Sequence, residues 1–236
     1  MEKICVDIGN SFIKVAKFDD FYVEKSYLSF ATDDYNKFEQ YLNKNKSYNI
    51  FISSVNKQID EKLKKNNHKM HFLTYKDFAS IENKYTTPHT LGLDRYCNIA
   101  FAVSCKENRA SIIVDAGTYI NFELVVDGVF YGGAIMEGIN SMYKKMSSLV
   151  AFNVLPKIEV PQSSIGVDTC QNIKLGAYFA TVGAIKEMCN CMQSEIGIAC
   201  KKYITGGDCI LLKDKLPNFT CDQLITLKGI NEIAKK

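Results

Sequence analysis

A strand-turn-strand pattern built on Asp-x-Gly occurs twice in this chain, about half a chain apart. The first copy has Asp7 and Gly9 within residues 3–20, and the second has Asp115 and Gly117 within residues 112–138. In each copy an apolar run ends at the aspartate, and an alternating run follows the glycine, which is typical of a β-hairpin. Two such copies predict two related lobes within one chain.

Each of these turns has a composition that suits a phosphate and its cation. Glycine permits close approach of the backbone, and a carboxylate can hold a hydrated Mg²⁺. Lys14 follows Asp7 on the next strand, where it would either meet a phosphate or lie exposed in solvent. One copy alone would be explained by an ordinary turn, because aspartate and glycine are common turn residues. The repetition favours a binding role.

Apolar periodicity predicts an α/β arrangement around mixed sheets. The predicted strands are Lys3–Ile8, Phe12–Phe18, Tyr22–Phe30, Asn49–Val55, Met70–Thr74, the two strands of a hairpin turning at Asp127-Gly128, Lys202–Thr205 and Leu224–Leu227. The predicted helices are Asp33–Asn45, Lys57–Asn67, Tyr96–Lys106, Gly138–Leu149, Thr169–Ile196 and a short C-terminal helix. We expect an N-terminal lobe over residues 1–91 and a C-terminal lobe over residues 92–236, with an approximate boundary.

Asp94 and Arg95 directly precede the predicted helix Tyr96–Lys106. The guanidinium group of an arginine there can form two parallel hydrogen bonds with a substrate carboxylate, and an adjacent carboxylate can take a proton from a hydroxyl group. An ordinary surface ion pair would have the same sequence. Gly206-Gly207, after a predicted strand, is either a third phosphate-type turn or a simple helix entry.

The composition argues against several classes of protein. The 29 basic and 26 acidic residues give a net charge of +3, too little to indicate a nucleic-acid partner, and no apolar run approaches the ~20 residues of a membrane span. The nine cysteines form no Cys-x-x-Cys pair, and only three histidines are present. We therefore expect a cytoplasmic protein with reduced thiols, no signal peptide, and neither a nucleic-acid nor a membrane partner.

Taken in order, six short motifs resemble those of the type III pantothenate kinases, members of the acetate kinase, sugar kinase, Hsp70 and actin superfamily. The motifs are Asp-x-Gly-Asn-Ser-x-x-Lys at Asp7–Lys14, Tyr-x-x-Pro-x-x-x-Gly-x-Asp-Arg at Tyr85–Arg95, Asp-x-Gly-Thr at Asp115–Thr118, a Tyr-x-Gly-Gly-x-Ile motif that is displaced here to Tyr-Gly-Gly-x-Ile at Tyr131–Ile135, Gly-x-x-Thr at Gly166–Thr169 and Thr-Gly-Gly-Asp at Thr205–Asp208. The resemblance covers nearly the whole chain.

The resemblance implies a fold, a reaction and partners. The fold would be α/β, with two ribonuclease H-like (actin-like) lobes, each a mixed five-stranded sheet flanked by helices, and the nucleotide in the interlobe cleft. The reaction would transfer the γ-phosphoryl group of ATP to pantothenate, the first step of coenzyme A synthesis. The protein would be a cytoplasmic homodimer that uses Mg²⁺ with ATP and a monovalent cation, K⁺ or NH₄⁺.

The same resemblance implies roles for individual residues. ATP would be bound by Asp7, Ile8, Gly9, Asn10, Ser11, Phe12, Ile13, Lys14 and Thr118, with Asp7 near Mg²⁺. Pantothenate would be bound by Tyr85, Gly92, Leu93, Asp94, Arg95 and Thr169, with Asp94 as the general base. Asp115 would bind the monovalent cation.

The sequence departs from the family pattern next to the second turn. Tyr119, Asn121 and Glu123 replace the usual alanine, threonine and aspartate, and Glu137 replaces the usual proline before Gly138. A bulky Tyr119 beside a phosphate loop predicts weaker or altered nucleotide binding. Two alternatives to a pantothenate kinase remain, namely a catalytically idle ATP-binding regulator of the same fold and a kinase for another small hydroxylated substrate.

Overall fold

The structure, a computed structural model, describes residues 2–19, 24–65, 69–148 and 158–235. Its strands are β1 (Lys3–Ile8), β2 (Phe12–Phe18), β3 (Glu24–Ala31), β4 (Asn49–Ser54), β5 (Met70–Phe72), β6 (Ala110–Ala116), β7 (Tyr119–Val126), β8 (Val129–Glu137), β9 (Lys201–Thr205) and β10 (Phe219–Cys221). Its α-helices are α1 (Tyr35–Lys44), α2 (Lys57–Leu63), α3 (Leu93–Ser104), α4 (Ile139–Ser148), α5 (Thr169–Ile196), α6 (Cys209–Leu212) and α7 (Ile225–Ile233). Short 3-10 helices cover Thr32–Asp34, Tyr75–Phe78, Pro88–Thr90 and Lys213–Lys215.

The first sheet has five strands in the order β3-β2-β1-β4-β5. Strands β1, β2 and β3 form an antiparallel meander, while β4 and β5 run parallel to β1 on its other side. All six residues of β1 are buried, as expected of a central strand. Helices α1 and α2 cover this sheet with Phe38, Leu42, Ile59 and Leu63.

The second sheet repeats this arrangement in the order β10-β9-β6-β7-β8. Strand β6 is central and antiparallel to β7, and β9 and β10 run parallel to it on the other side. The long helix α5 packs on this sheet through buried side chains that include Tyr178, Val182 and Ile185. The predicted α/β fold with two related mixed five-stranded sheets is therefore confirmed.

The chain folds into two compact units. The first contains Met1–Glu107, Asp127–Gly132 and Leu224–Lys236, and the second contains Asn108–Val126 and Gly133–Gln223. This division differs from the expected boundary after residue 91, since both α3 and α7 fall in the first unit. The physical reason is that α3 packs against α7, and α7 packs against β1.

Local patterns predicted several elements correctly. The bounds of β1, β2 and α5 are those expected from the sequence, and the hairpin at Asp127-Gly128 turns with both residues at positive φ (49° and 78°), which a two-residue type I′ turn requires. Helix α3 begins at Leu93, one turn before the predicted Tyr96. The predicted strand start at Tyr22 and the predicted helix ends at Asn67 and Leu149 lie outside the described residues.

The prediction of a strand at Leu224–Leu227 was wrong. Helix α7 begins at Ile225, and the last strand is β10, a few residues earlier. A short apolar run with β-branched residues does not distinguish a strand from a helix that is buried on most sides. Helix α7 is such a helix, because Ile225, Leu227 and Ile230 are all fully buried.

Candidate functional site

The first Asp-x-Gly turn joins β1 to β2. Asp7 is the next-to-last residue of β1 and is mostly buried, while Asn10, Ser11 and Phe12 are exposed. The turn is closed by the N–H group of Gly9, which donates to the carbonyl oxygen of Phe12 at 3.0 Å. Ile8 ends β1, and Ile13 is buried in β2. The predicted loop is thus a short exposed turn with a carboxylate at its base.

Both strands that flank β1 place a polar residue opposite Asp7. Lys14 of β2 is its antiparallel partner, and Ser53 of β4 is its parallel partner. Directly opposed residues of an antiparallel pair share one face of the sheet, so Lys14 and Asp7 lie on the same face. Sequence reasoning singled out Lys14 and missed Ser53, which only the pairing of β4 with β1 identifies.

Asp94 and Arg95 lie in the first turn of α3, where Gly92 is the N-terminal cap residue and Leu93 the first helical residue. One carboxylate oxygen of Asp94, Oδ1, accepts a hydrogen bond from the backbone N–H of Arg95 at 2.9 Å. A carboxylate at this end of a helix is favoured by the helix dipole. Asp94 is half-buried and Arg95 is buried.

The segment before α3 is anchored at both of its ends. Tyr96 stacks on Phe78, with ring centroids 5.0 Å apart, and its hydroxyl donates to the carbonyl oxygen of Pro88 at 2.9 Å. Near the start of the segment, the N–H of Lys84 donates to the carbonyl oxygen of Phe130 at 2.8 Å. The half-buried ring of Tyr85 lies 5.9 Å from that of Phe130. These contacts fix the backbone on either side of Tyr85.

The electrostatics around Cys97 bring two predicted site residues together. Burial raises the pKa of the Cys97 thiol well above its usual range, and the carboxylates of Asp7 and Asp94 raise it further. Both carboxylates therefore lie close enough to act on one buried atom. Asp7 comes from β1 and Asp94 from α3, so two elements of the first unit each bring a carboxylate to act on the Cys97 thiol.

The second Asp-x-Gly turn joins β6 to β7 in the second unit. Asp115 is the next-to-last residue of β6, and its partners are Asn121 of β7 and Thr205 of β9. The exposed Thr118 accepts hydrogen bonds at its carbonyl oxygen from the N–H of Gly138 (3.1 Å) and the hydroxyl of Ser141 (3.2 Å). The place of Asp115 in the second sheet therefore corresponds to that of Asp7 in the first sheet.

A glycine turn after β9 packs tightly against Asp115. Gly206 has φ +90°, and a Cβ atom built on it would lie 2.5 Å from Oδ1 of Asp115. Beside it, Thr205 is fully buried, and its hydroxyl has no hydrogen-bond partner among the described residues.

The carboxylate of Asp208 accepts hydrogen bonds at 2.9 and 3.1 Å from the amide of Asn140, a contact that sequence reasoning missed.

Thr169, predicted to bind pantothenate, is the exposed first residue of α5. The cap residue Asp168 accepts a hydrogen bond from the N–H of Gln171 at 2.8 Å and a second from its side chain at 2.7 Å. The start of α5 is therefore well defined. Thr169 belongs to the second unit with Asp115 and Thr118, whereas Asp7–Lys14, Tyr85 and Gly92–Arg95 belong to the first.

The residues that depart from the family pattern differ in exposure. Tyr119 is 58% exposed at the start of β7, whereas Glu123 is fully buried in the same strand. Asn121 and Glu123 stand opposite Asp115 and Ile113 of β6, respectively. The face that carries Asp115 therefore also carries a buried carboxyl group two residues further into the sheet.

No group of three or more His, Cys, Asp or Glu side chains in the described ranges is arranged to hold a metal ion. None of the helices described is both long and apolar enough to cross a bilayer.

A sequence model of the type III pantothenate kinase family matches residues 3–191. The chain belongs to this family. It is similar to the type III pantothenate kinase of Flavobacterium johnsoniae, 31% identical over 225 residues, which is 91% of this chain and 89% of the relative. It is also similar to that of Fervidobacterium nodosum, 32% identical over 165 residues, or 68% of this chain and 63% of the relative.

Solved structures share the fold. A Campylobacter jejuni protein assigned provisionally to the Baf family of transcriptional activators aligns with a TM-score of 0.68 and 24% identity, covering 98% of this chain and 97% of its own. The activator of 2-hydroxyisocaproyl-CoA dehydratase from Clostridium difficile, solved with bound ADPNP, aligns with a TM-score of 0.54 and 9% identity over 100% of this chain and 95% of its own. At these identities the likeness shows the fold alone, and it agrees with the predicted actin-like class.

Proposed function

We propose that this protein is a pantothenate kinase that transfers the γ-phosphoryl group of ATP to the primary hydroxyl of pantothenate, giving 4′-phosphopantothenate. Membership of the family, through a match over residues 3–191, is the observation that carries the proposal. The reaction would be the first step of coenzyme A synthesis, in the cytoplasm. Such a transfer needs little covalent chemistry, so catalysis would consist mostly of positioning and charge neutralisation.

The phosphates of ATP would lie at the first turn. Support comes from the exposed residues Asn10 and Ser11 and from the opposed pair of Asp7 and Lys14, in which the lysine offers a positive charge on the face that carries the carboxylate. Mg²⁺ usually binds through one or two carboxylates together with phosphate oxygens and water, so a lone Asp7 fits it. When bound, Mg²⁺ would neutralise phosphate charge.

Pantothenate would lie at the N-terminal end of α3. Arg95 would hold its carboxylate, since a guanidinium group can form two parallel hydrogen bonds with one. Tyr85 and the backbone of Gly92 and Leu93 would line the same site, and the anchored segment before α3 supports this arrangement. Asp94 would take the proton of the substrate hydroxyl, since its half-buried carboxylate lies at the N-terminal end of α3 next to Arg95.

A monovalent cation, K⁺ or NH₄⁺, would bind at Asp115. The buried hydroxyl of Thr205, opposite Asp115 and without a hydrogen-bond partner in the described part of the chain, supports an oxygen-ligated ion there. Thr118 would contact ATP. The protein would act as a homodimer, in which Thr169 reaches pantothenate.

The decisive experiment measures ADP release from ATP with and without pantothenate, first in K⁺ buffer and then in Na⁺ buffer. We expect release only when pantothenate and K⁺ are both present. Pantothenate dependence without cation dependence would keep the kinase and remove the cation role of Asp115. Absence of pantothenate-dependent release in both buffers would refute the proposal and favour an idle ATP-binding regulator, or a kinase for another small hydroxylated substrate if other alcohols support release.

The role of Asp94 has its own test. Asp94→Asn keeps the shape of the side chain but removes the base, so we expect turnover to fall by about 10²–10⁴-fold. Asp214→Asn is a matched control, since it removes one charge from an exposed position in the short 3-10 helix Lys213–Lys215 of the second unit. Circular dichroism should show both variants folded. Turnover of Asp94→Asn near that of the control would remove Asp94 from the mechanism.

A further inference from the structure

The C-terminal helix α7 packs directly on α3, the helix that begins with Asp94 and Arg95. The two backbones are in tight contact at Gly229, where a Cβ atom would lie 1.8 Å from the carbonyl oxygen of Cys97. Only glycine fits there without moving one helix. This contact therefore sets the separation of α7 and α3 within one turn of Asp94.

A buried hydrogen bond fixes the same pair of helices. The hydroxyl of Thr226 in α7 donates to Oδ1 of Asn98 in α3 at 2.9 Å, and both residues are almost completely buried. Asn98 is four residues after Asp94, so the two lie on the same face of α3, one turn apart. A slide or rotation of α3 would break this bond and leave a buried acceptor without its donor, which is costly.

The geometry points to a positioning role for α7. We propose that Thr226 and Gly229 hold α3 so that Asp94 and Arg95 face the phosphoryl acceptor, which makes them positioning residues for the reaction. This inference rests on the proposed function. Helix α7 lies beyond residues 3–191, the part of the chain that the family model matches. A displacement of about 1 Å in a group that orients a substrate can cost about 10²-fold in rate.

The test uses Thr226→Val, which keeps the size of the side chain and removes the donor. We expect kcat/KM for pantothenate to fall by about tenfold or more, with the KM for ATP unchanged, because Asp94 and Arg95 shift while the first turn stays in place. Thr226→Ser restores the donor and should restore most of the activity. Ile230→Val is the matched control, since it weakens the packing of α7 without touching the hydrogen bond.

The unmodified protein and the three variants are assayed at a temperature at which circular dichroism shows each to be folded. Equal kinetics for Thr226→Val and Ile230→Val, or no recovery in Thr226→Ser, would overturn the positioning role while leaving the kinase intact. Absence of pantothenate-dependent ADP release from the unmodified protein would instead refute the proposed function, and the positioning role with it.

Discussion

Gly206 offers the sharpest test of how tightly the second turn is built. In Gly206→Ala, the new Cβ would lie 2.3 Å from the carbonyl oxygen of Ala116 and 2.5 Å from Oδ1 of Asp115, far inside normal contact. The residue also has φ +90°, a conformation that L-amino acids rarely adopt. Two independent costs therefore fall on one methyl group.

Their magnitudes can be estimated separately. Backbone strain at a sparsely populated conformation costs about 1–3 kcal/mol, and overpacking a tight site costs about 1–3 kcal/mol more. Together they predict a loss of about 2–6 kcal/mol in the free energy of unfolding. That is a large part of the stability of a typical domain, which is about 5–15 kcal/mol.

The assay is urea denaturation followed by far-ultraviolet circular dichroism, with the midpoint and the slope fitted together. Gly207→Ala is the control, because no atom lies within 4 Å of a Cβ built on this neighbouring glycine. We expect the midpoint to fall clearly in Gly206→Ala and to change little in Gly207→Ala. Equal midpoints for the two variants, with equal slopes, would show that β6 yields to the methyl group and would refute the reasoning.

Two further predictions follow from the pKa shifts. Burial shields Cys97 from reagents and, with the charges of Asp7 and Asp94, raises the pKa of its thiol well above the usual range. A hydrogen bond with Glu187 also raises the pKa of Cys191, but this thiol is exposed. In folded protein at pH 8 iodoacetamide should therefore label Cys191 well before Cys97, with the difference lost in urea, and equal labelling rates in the folded state would contradict this. Burial raises the pKa of Asp77, but hydrogen bonds from Thr74 and His71 lower it by more. The Asp77 carboxylate therefore stabilises the fold at pH values above the pKa that it has in the unfolded chain. The difference in the free energy of unfolding between the unmodified protein and Asp77→Asn should vanish as the pH falls through the pKa that Asp77 has in the folded state. A difference that persisted at pH 2 would contradict this.

Local patterns account for what the sequence could predict. The bounds of β1, β2 and α5 follow from apolar periodicity and turn residues, which act over a few neighbours. The relation between the two sheets also followed from the sequence, because Asp7 and Asp115 each end an apolar run beside a glycine. The six ordered motifs then predicted the family, which the comparison confirmed.

Contacts between distant residues account for what it could not. Nothing near Thr226 in the sequence indicates that its hydroxyl meets Asn98, and the run that contains it looks like a strand until its burial on most sides is known. Ser53 likewise becomes a partner of Asp7 only through the pairing of β4 with β1. In each case the deciding information lies in tertiary packing, which overrides local preference.

The two repeated turns differ in the residue that lies opposite the aspartate on the next strand. Asp7 of β1 lies opposite Lys14 of β2, whereas Asp115 of β6 lies opposite the neutral Asn121 of β7. Under the proposed function, the lysine opposite Asp7 would offset the charge of the carboxylate, which would allow the first turn to accept a phosphate. Under the proposed function, the neutral amide opposite Asp115 and the buried hydroxyl of Thr205 on its other side would bring no positive charge, which would favour a cation. The repeat supplies the same strand-turn-strand backbone twice, and under the proposed function the exchange of lysine for asparagine would separate the proposed phosphate site from the proposed cation site.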